Sequence, residues 1–514
     1  MPGDLHQFLE FDGQYDNVFT GRKRLLARLS TLKPGNFSNQ TTIQSTHVLP
    51  IKSIYKPFVN VVSEYAKVLH TPNTAPLNLL RSNSLNFQVI HRGHFLSDMV
   101  LHLQIPAIGL ATDAYQYRYC AFPGVRLLPL VQLKKGGAKI DSYTSDDVML
   151  HYQFVVCASR QLGFQRCVGQ QEIKTAEFDA GNHTGILHYK DGAQTWKSVQ
   201  PTLNLWIPLH FSFCRDVGEA IMNTPSLVDD WDISINLADV TKIIQMRNAS
   251  TLEVVTNAAI MPNINFNVHG LYVNELYIPQ QIFHTMVMNT TTNIQMSLIR
   301  VHRSVTRRLT TDSALIPISS ELQYPIEHIF AGVRDVRNEA DMDNWCMFGR
   351  ASLPRTLCAT SVLAAHAQYT PAGGGMVQLV GRICRESPTD CLQPMLESIQ
   401  LDVDHYTFFP KMELDFYGSY MPNRYSESSH MVSPRDSSVM LLSFTTKPGQ
   451  WQPSGFCNAA NSSFVTINYQ SRMNADGSHM ISTQTPAELI LSAYSLNFLI
   501  RSPEGTDLLF KTQK

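Results

Sequence analysis

Charge is scarce in this sequence. Aspartate, glutamate, lysine and arginine supply only 16% of its 514 residues, below the roughly 25% of an average soluble protein, while hydrophobic residues reach 44%. Much of the surface is therefore expected to be covered by partners or carried by uncharged serine, threonine, asparagine and glutamine. A formal net charge of −1 argues against a protein whose main task is neutralising nucleic-acid phosphates. The two basic runs, Arg22-Lys23-Arg24 and Arg300 to Arg308, read as solvated faces or subunit contacts. An 18-residue apolar run is missing, as is an N-terminal apolar segment of the signal-peptide kind, so neither a membrane span nor standard secretion is expected. Nine cysteines, an odd number without a CxxC pair, fit reduced buried thiols in a protein folded in cytosol. The sequons at Asn182 and Asn289 are then chance matches, because glycosylation needs the secretory route.

The motifs of catalysis are missing too. His91-Arg92-Gly93-His94 with His102 comes nearest to a metal cluster, but it has neither HExxH spacing nor an HxH pair with a following carboxylate. These read as packed or surface histidines. Gly373-Gly374-Gly375 lacks the Lys-Ser/Thr that would reach nucleotide phosphates. No GxSxG elbow presents a serine, and Cys214 has no histidine partner by motif, so it reads as a buried thiol. Asp229-Asp230 with Asp232 lacks the spacing and glycine of a calcium loop. No catalytic, cofactor-binding or metal-binding residue is assigned, no cofactor is expected, and the reading is of a protein that is not an enzyme.

What the sequence does contain is period-two patterning. From Glu488 to Ile500 one alternate row holds Ile490, Tyr494, Leu496, Phe498 and Ile500, a strand signal. Ser502-Pro503-Glu504-Gly505 then supplies a turn and Thr506 to Phe510 a returning strand. The chain is expected to finish in a buried hairpin whose loss would leave an aggregation-prone edge. Similar extended segments are expected at His47 to Ile51, Asn86 to His91, Met99 to Ile105, Val131 to Lys134, Leu203 to Phe213, Trp231 to Leu237 and Leu271 to Ile278. A second series runs through Met296 to Ile299, Ile326 to Val333, Gln378 to Gly381, Ile399 to Val403, Met412 to Tyr420, Val439 to Thr446 and Phe464 to Tyr469. Sustained helical periodicity is scarce, with a helical turn expected at Gln281 to Met286. Thr360 to Gly375 reads as an exposed loop. Many strands, long loops and no βαβ alternation predict antiparallel sandwiches, and the length predicts two. Residues 1–41 are charged and carry the breaker Lys33-Pro34-Gly35-Asn36. They are expected to be an arm outside two sandwiches at 42–290 and 291–514.

Several segments in order resemble the major capsid proteins of nucleocytoplasmic large DNA viruses, in particular the asfarvirus-like branch that includes African swine fever virus. They include Tyr55-Lys56-Pro57-Phe58-Val59, Arg92-Gly93-His94-Phe95, Asp141-Ser142-Tyr143-Thr144-Ser145-Asp146 and Leu205-Trp206-Ile207-Pro208-Leu209. Asn274-Glu275-Leu276-Tyr277-Ile278, Ser297 to His302, Pro325-Ile326-Glu327 and Gln452-Pro453-Ser454-Gly455 continue the series. No single segment is specific; the ordered set is. The resemblance implies an all-β tandem double jelly roll, two antiparallel eight-stranded sandwiches with an N-terminal arm. It also implies a homotrimeric capsomer tiling an icosahedral shell, in the virion after assembly in host cytoplasm. Neighbouring capsomers and minor capsid proteins beneath the shell are the implied partners, with no sequence-specific nucleic-acid contact. A minor capsid or scaffold paralogue, a jelly-roll carbohydrate-binding module with exposed aromatics on a sheet face, and a jelly-roll enzyme are the rival readings.

Overall fold

Alternating burial turns the patterned segments into strands. Leu85, Phe87 and Val89 are buried while Ser84, Asn86 and Gln88 are exposed. Trp231, Ile233 and Ile235 are buried beside them on the neighbouring strand of the same sheet, in register with Val89, Phe87 and Leu85. The structure is a computed structural model that describes residues 59–509 apart from 72–76, 79–83, 90–91, 111–113, 172, 180–183, 190–191, 224–229, 256–263, 284–294, 320–321, 323, 352–391, 405, 427–430, 459–463, 475–476 and 503–504. The expected strands at His47 and Gln378, the glycine loop and residues 1–41 lie outside the described residues.

The principal strands of the first half are β1 (Val62–Val68), β2 (Ser84–Val89), β3 (Phe95–Ile105), β4 (Leu130–Lys135), β5 (Ala138–Thr144), β6 (Leu203–Pro208), β7 (Trp231–Asn236) and β8 (Asn265–Tyr277). They form two antiparallel sheets, in the orders β1-β8-β3-β6 and β2-β7-β4-β5. The second half has β9 (Gln295–Leu309), β10 (Ser313–Pro317), β11 (Pro325–Asp335), β12 (Leu396–Val403), β13 (Tyr406–Glu413), β14 (Val439–Ser443), β15 (Val465–Ser471), β16 (Ala487–Ser502) and the short β17 (Gly505–Leu508). Its sheets run β9-β16-β11-β14 and β10-β15-β12-β13. Each of these eight principal strands of the first half therefore has a counterpart eight labels later, in the same sheet position, although no close internal sequence repeat accompanies this. The fold is all-β, a tandem double jelly roll. The buried apolar side chains of both halves form one continuous cluster.

Three elements differ from the sequence reading. The expected strand Leu203 to Phe213 stops at Pro208, and a 3-10 turn follows at Ser212–Cys214. Met412 to Tyr420 is extended only to Glu413; the chain then winds through Phe416–Tyr420 into a helix at Met421–Ser426. Helical winding places Tyr417, Met421 and Tyr425 four residues apart on one buried side, which an extended chain would not do. Thirdly, β5 runs into the helix α1 (Ser145–Phe154), followed by α2 (Ala158–Cys167). The final hairpin is present, but β16 pairs with β9 from Ala487 to Arg501 and with β11 on its other side. β17 covers only Leu499 to Ser502, so its loss does not leave β16 a bare edge.

Candidate functional site

The two sandwiches meet along a polar seam. β5 lies beside β9, and α1 lies on β11 and β16. A capping box starts α1: the Thr144 hydroxyl oxygen accepts from Asp147 N–H, and the Asp147 carboxylate accepts from Thr144 N–H at 2.7 Å. Two carboxylates flanking this turn reach across the seam. Asp141 accepts from the His302 backbone N–H at 2.8 Å and lies 2.9 Å from its Nδ1. Asp147 accepts from the Ser304 hydroxyl at 2.5 Å. Deeper in, Phe154 stacks on Phe330 with centroids 4.7 Å apart.

Two buried arginines reinforce the contact. Arg300 of β9 donates to both Glu327 oxygens, to Glu219 of the first half and to the Gln450 carbonyl at 2.7 Å. Arg334 of β11 donates to Asp146 of α1 at 2.7 Å and to Glu488 at 2.9 Å. Burial pushes the Glu219 and Asp146 carboxyls up, and the arginines beside them pull the other way. Arg300 therefore sits in the interior as an ion-pair centre, not on the solvated face or subunit contact expected for its basic run. With the first half laid over it, every residue of β11 is buried, and every residue of β14 as well.

The same sheet face in the first half is open. Counterparts β3 and β6 alternate between buried and partly exposed residues. Their outward side chains include Trp206, 39% exposed, stacked on His102 with centroids 3.8 Å apart. A bulge in β8 between Val268 and Gly270 turns His269 onto His102 at 4.3 Å. Gly270 allows it with a φ of 141° and a backbone too close to Val68 for a Cβ. Tyr65 of β1 is 54% exposed and donates to Asp98 at 2.7 Å. Burial, then that bond, pushes the Tyr65 hydroxyl up to about 12. Likewise β13, counterpart of β5, has all residues but Phe409 exposed, with Tyr406 at 75%.

The structure does not gather the motif candidates into a site. His94 precedes β3 and accepts from Ile278 N–H; His102 stands eight residues, roughly 26 Å, further along the strand. The Cys214 thiol is pushed up by burial and lies 3.7 Å from the Ser97 carbonyl. Asp230 accepts from Gln88 across the β2–β7 sheet. His91, Asp229 and the glycine triplet lie outside the described residues. Among the described residues no group of three or more histidine, cysteine or acidic side chains is placed to hold a metal, and no helix is long and apolar enough to cross a membrane. Asp141, Arg300, His302 and Glu327 lie in segments that carry the capsid-protein resemblance, but nothing in those segments pairs them, since Asp141 and His302 are 161 positions apart.

Sixteen strands in two identically ordered sandwiches define the architecture of viral double jelly-roll major capsid proteins. Among solved structures the chain superposes on the Faustovirus major capsid protein with a TM-score of 0.67 at 20% identity, covering 96% of this chain and 100% of that one. It matches the PBCV-1 virus capsid with a TM-score of 0.61 at 14% identity, covering 90% and 99%. In sequence it is similar to the major capsid protein of African swine fever virus, 23% identical over 98% of both chains. A second strain's counterpart, named hexon protein, matches to the same extent. No family model matches the chain.

Proposed function

We propose that this chain is a major capsid subunit, three copies of which close into a pseudo-hexagonal capsomer tiling an icosahedral shell. Its sandwiches are assigned to residues 42–290 and 291–514, and residues 1–41 to an arm beneath them. The observation that carries this reading is one contact present in two states. Within the chain, β5 of the first sandwich lies along β9, and α1, which follows it, covers β11 and β16 of the sheet β9-β16-β11-β14. The equivalent strand β13 and the equivalent face of β1-β8-β3-β6 both stand open, bearing Tyr406, Phe408, Tyr65 and Trp206. A head-to-tail contact left open at both ends continues from copy to copy until a ring closes. Six wedges from three chains make a closed ring that also suits sixfold neighbours.

The protein acts by assembly and not by catalysis, in the virion, with neighbouring capsomers and minor capsid proteins as partners. Light scattering of the purified chain at micromolar concentration is expected to give three times the chain mass; a stable monomer overturns the reading. The open face also favours a second reading, a glycan platform. Beside Trp206 runs an amide ladder in which Gln104 donates to Asn204 at 3.0 Å and Asn267 donates to Gln104 at 3.3 Å. Glycan binding by a chain that stays monomeric would select it.

A further inference from the structure

Four imidazoles from four elements converge on Tyr494 inside the seam. His151 of α1 has its Nδ1 3.2 Å from the Tyr494 hydroxyl. His302 of β9 and His328 of β11 each have ring centroids 4.7 Å from the Tyr494 ring. His210, in the loop after β6, lies 4.9 Å from His151. Only His302 of the four pairs with a carboxylate, that of Asp141. Neither ring nitrogen of His328, nor Nε2 of His210, has a hydrogen-bond partner.

The acidic groups around them are paired with other residues through at least one oxygen each, while Asp147 Oδ1 and Glu219 Oε2 accept no hydrogen bond. Asp141 from β5 is held by His302, and Asp147 from α1 by Thr144 and Ser304. Glu219 from the loop after β6 and Glu327 from β11 are held by Arg300 of β9. Arg215, from the same loop as Glu219, sits over the Tyr494 ring at 5.1 Å. Tyr143 of β5 is a further ionisable neighbour, and its hydroxyl oxygen accepts from the His210 backbone N–H and not from its ring. None of His151, His210 and His328 pairs with a carboxylate, and a proton added to any of them meets the guanidinium of Arg215.

We propose that this imidazole cluster is an acid-labile latch between the two sandwiches, in which protonation of His151, His210 and His328 loosens β5 and α1 from β9, β11 and β16. Burial is the leading cause that keeps the three neutral, holding His151 and His328 well below the ordinary histidine value and His210 down to about 3. Once the seam opens, each imidazole regains an ordinary value near 6.5. The open form thus takes up protons first, so latch stability is full above about pH 6.5 and is lost as pH falls. Each imidazole shifts the opening equilibrium by up to about tenfold per pH unit. The latch lies within one chain and stands whether or not three chains assemble.

Global melting would mix opposite signs, because burial raises the Asp436 carboxyl to about 7 and that group stabilises the fold as pH falls. The test is therefore local: hydrogen-exchange protection of α1 and β16 in the full chain, between about pH 8 and about pH 5.5. Protection there is expected to fall by at least about tenfold in acid, with β2 and β7 unchanged. His328→Phe keeps a ring between Tyr494 and Phe330 and is expected to flatten the profile. His210→Phe serves the same comparison should the first variant not fold. Seam protection that is equal at both pH values, or variants that lose as much as the wild type, overturns the proposal.

Discussion

Arg300 shows how much one side chain carries at the seam. Its guanidinium is the shared partner of the buried Glu327 and the half-buried Glu219, so removing it strips Glu327 of its ion pair and leaves Glu219 with Arg215 alone. Breaking a buried pair from one side costs about 3–5 kcal/mol, and Arg300→Met is expected to lose stability in that range in denaturant titration. The Glu219 carboxyl, which burial already pushes up, then keeps only Arg215 to oppose that push. Because such groups gain stability as pH falls, the deficit against wild type is expected to be smaller at about pH 5 than at about pH 8. Gly270 is the second such position: its φ is 141°, and a methyl on its Cα would stand 2.9 Å from the Val68 carbonyl oxygen, which leaves no room for alanine. Gly270→Ala is expected to cost about 1–3 kcal/mol, and to separate His269 from His102 as the bulge relaxes.

Among elements, α1 and the C-terminal hairpin make opposite cases. α1 is short, and its order rests on the Thr144–Asp147 box as well as on packing against β11 and β16. Thr144→Ala is expected to cost about 1 kcal/mol, with hydrogen exchange rising first in α1. β17, by contrast, adds only a short flank to β16 and buries Leu508. Deleting residues 503–514 is expected to cost about 1.5–3 kcal/mol, the worth of one buried leucine, and to leave a folded protein. An insoluble product would show that the last residues do more than extend one strand.

At the scale of the whole molecule, the proposed trimer accounts together for the low charge content and the open aromatic faces. Tyr406 is mostly exposed and stands on β13, so Tyr406→Glu is expected to leave the melting temperature of the chain nearly unchanged while shifting trimers to monomers in light scattering. Tyr65→Glu, on the face opposite, is expected to do the same, because a head-to-tail ring is broken equally from either side of its contact. Trimers formed by both variants with wild-type yield would place the contact elsewhere.

Much of this was legible from residue order alone, for a physical reason. Strands with one face in the core and one in solvent alternate, so Leu85-Phe87-Val89 and Trp231-Ile233-Ile235 announce themselves. An ordered set of short segments likewise pointed to the capsid-protein resemblance without any contact being known. β14 could be read as apolar and Ile326 to Val333 as extended, but neither as the covered face, because burial on both sides erases alternation and only packing supplies the second cover. The helical stretch after Glu413 was misread because its buried residues, four apart, are aromatic and sulfur-containing side chains that suit a strand equally well. The imidazole cluster and the arginine bridges were invisible for a further reason. They join residues far apart in sequence, such as His151 and Tyr494 or Arg334 and Asp146, and pairing at that distance is settled by how two sandwiches dock, which no local pattern encodes.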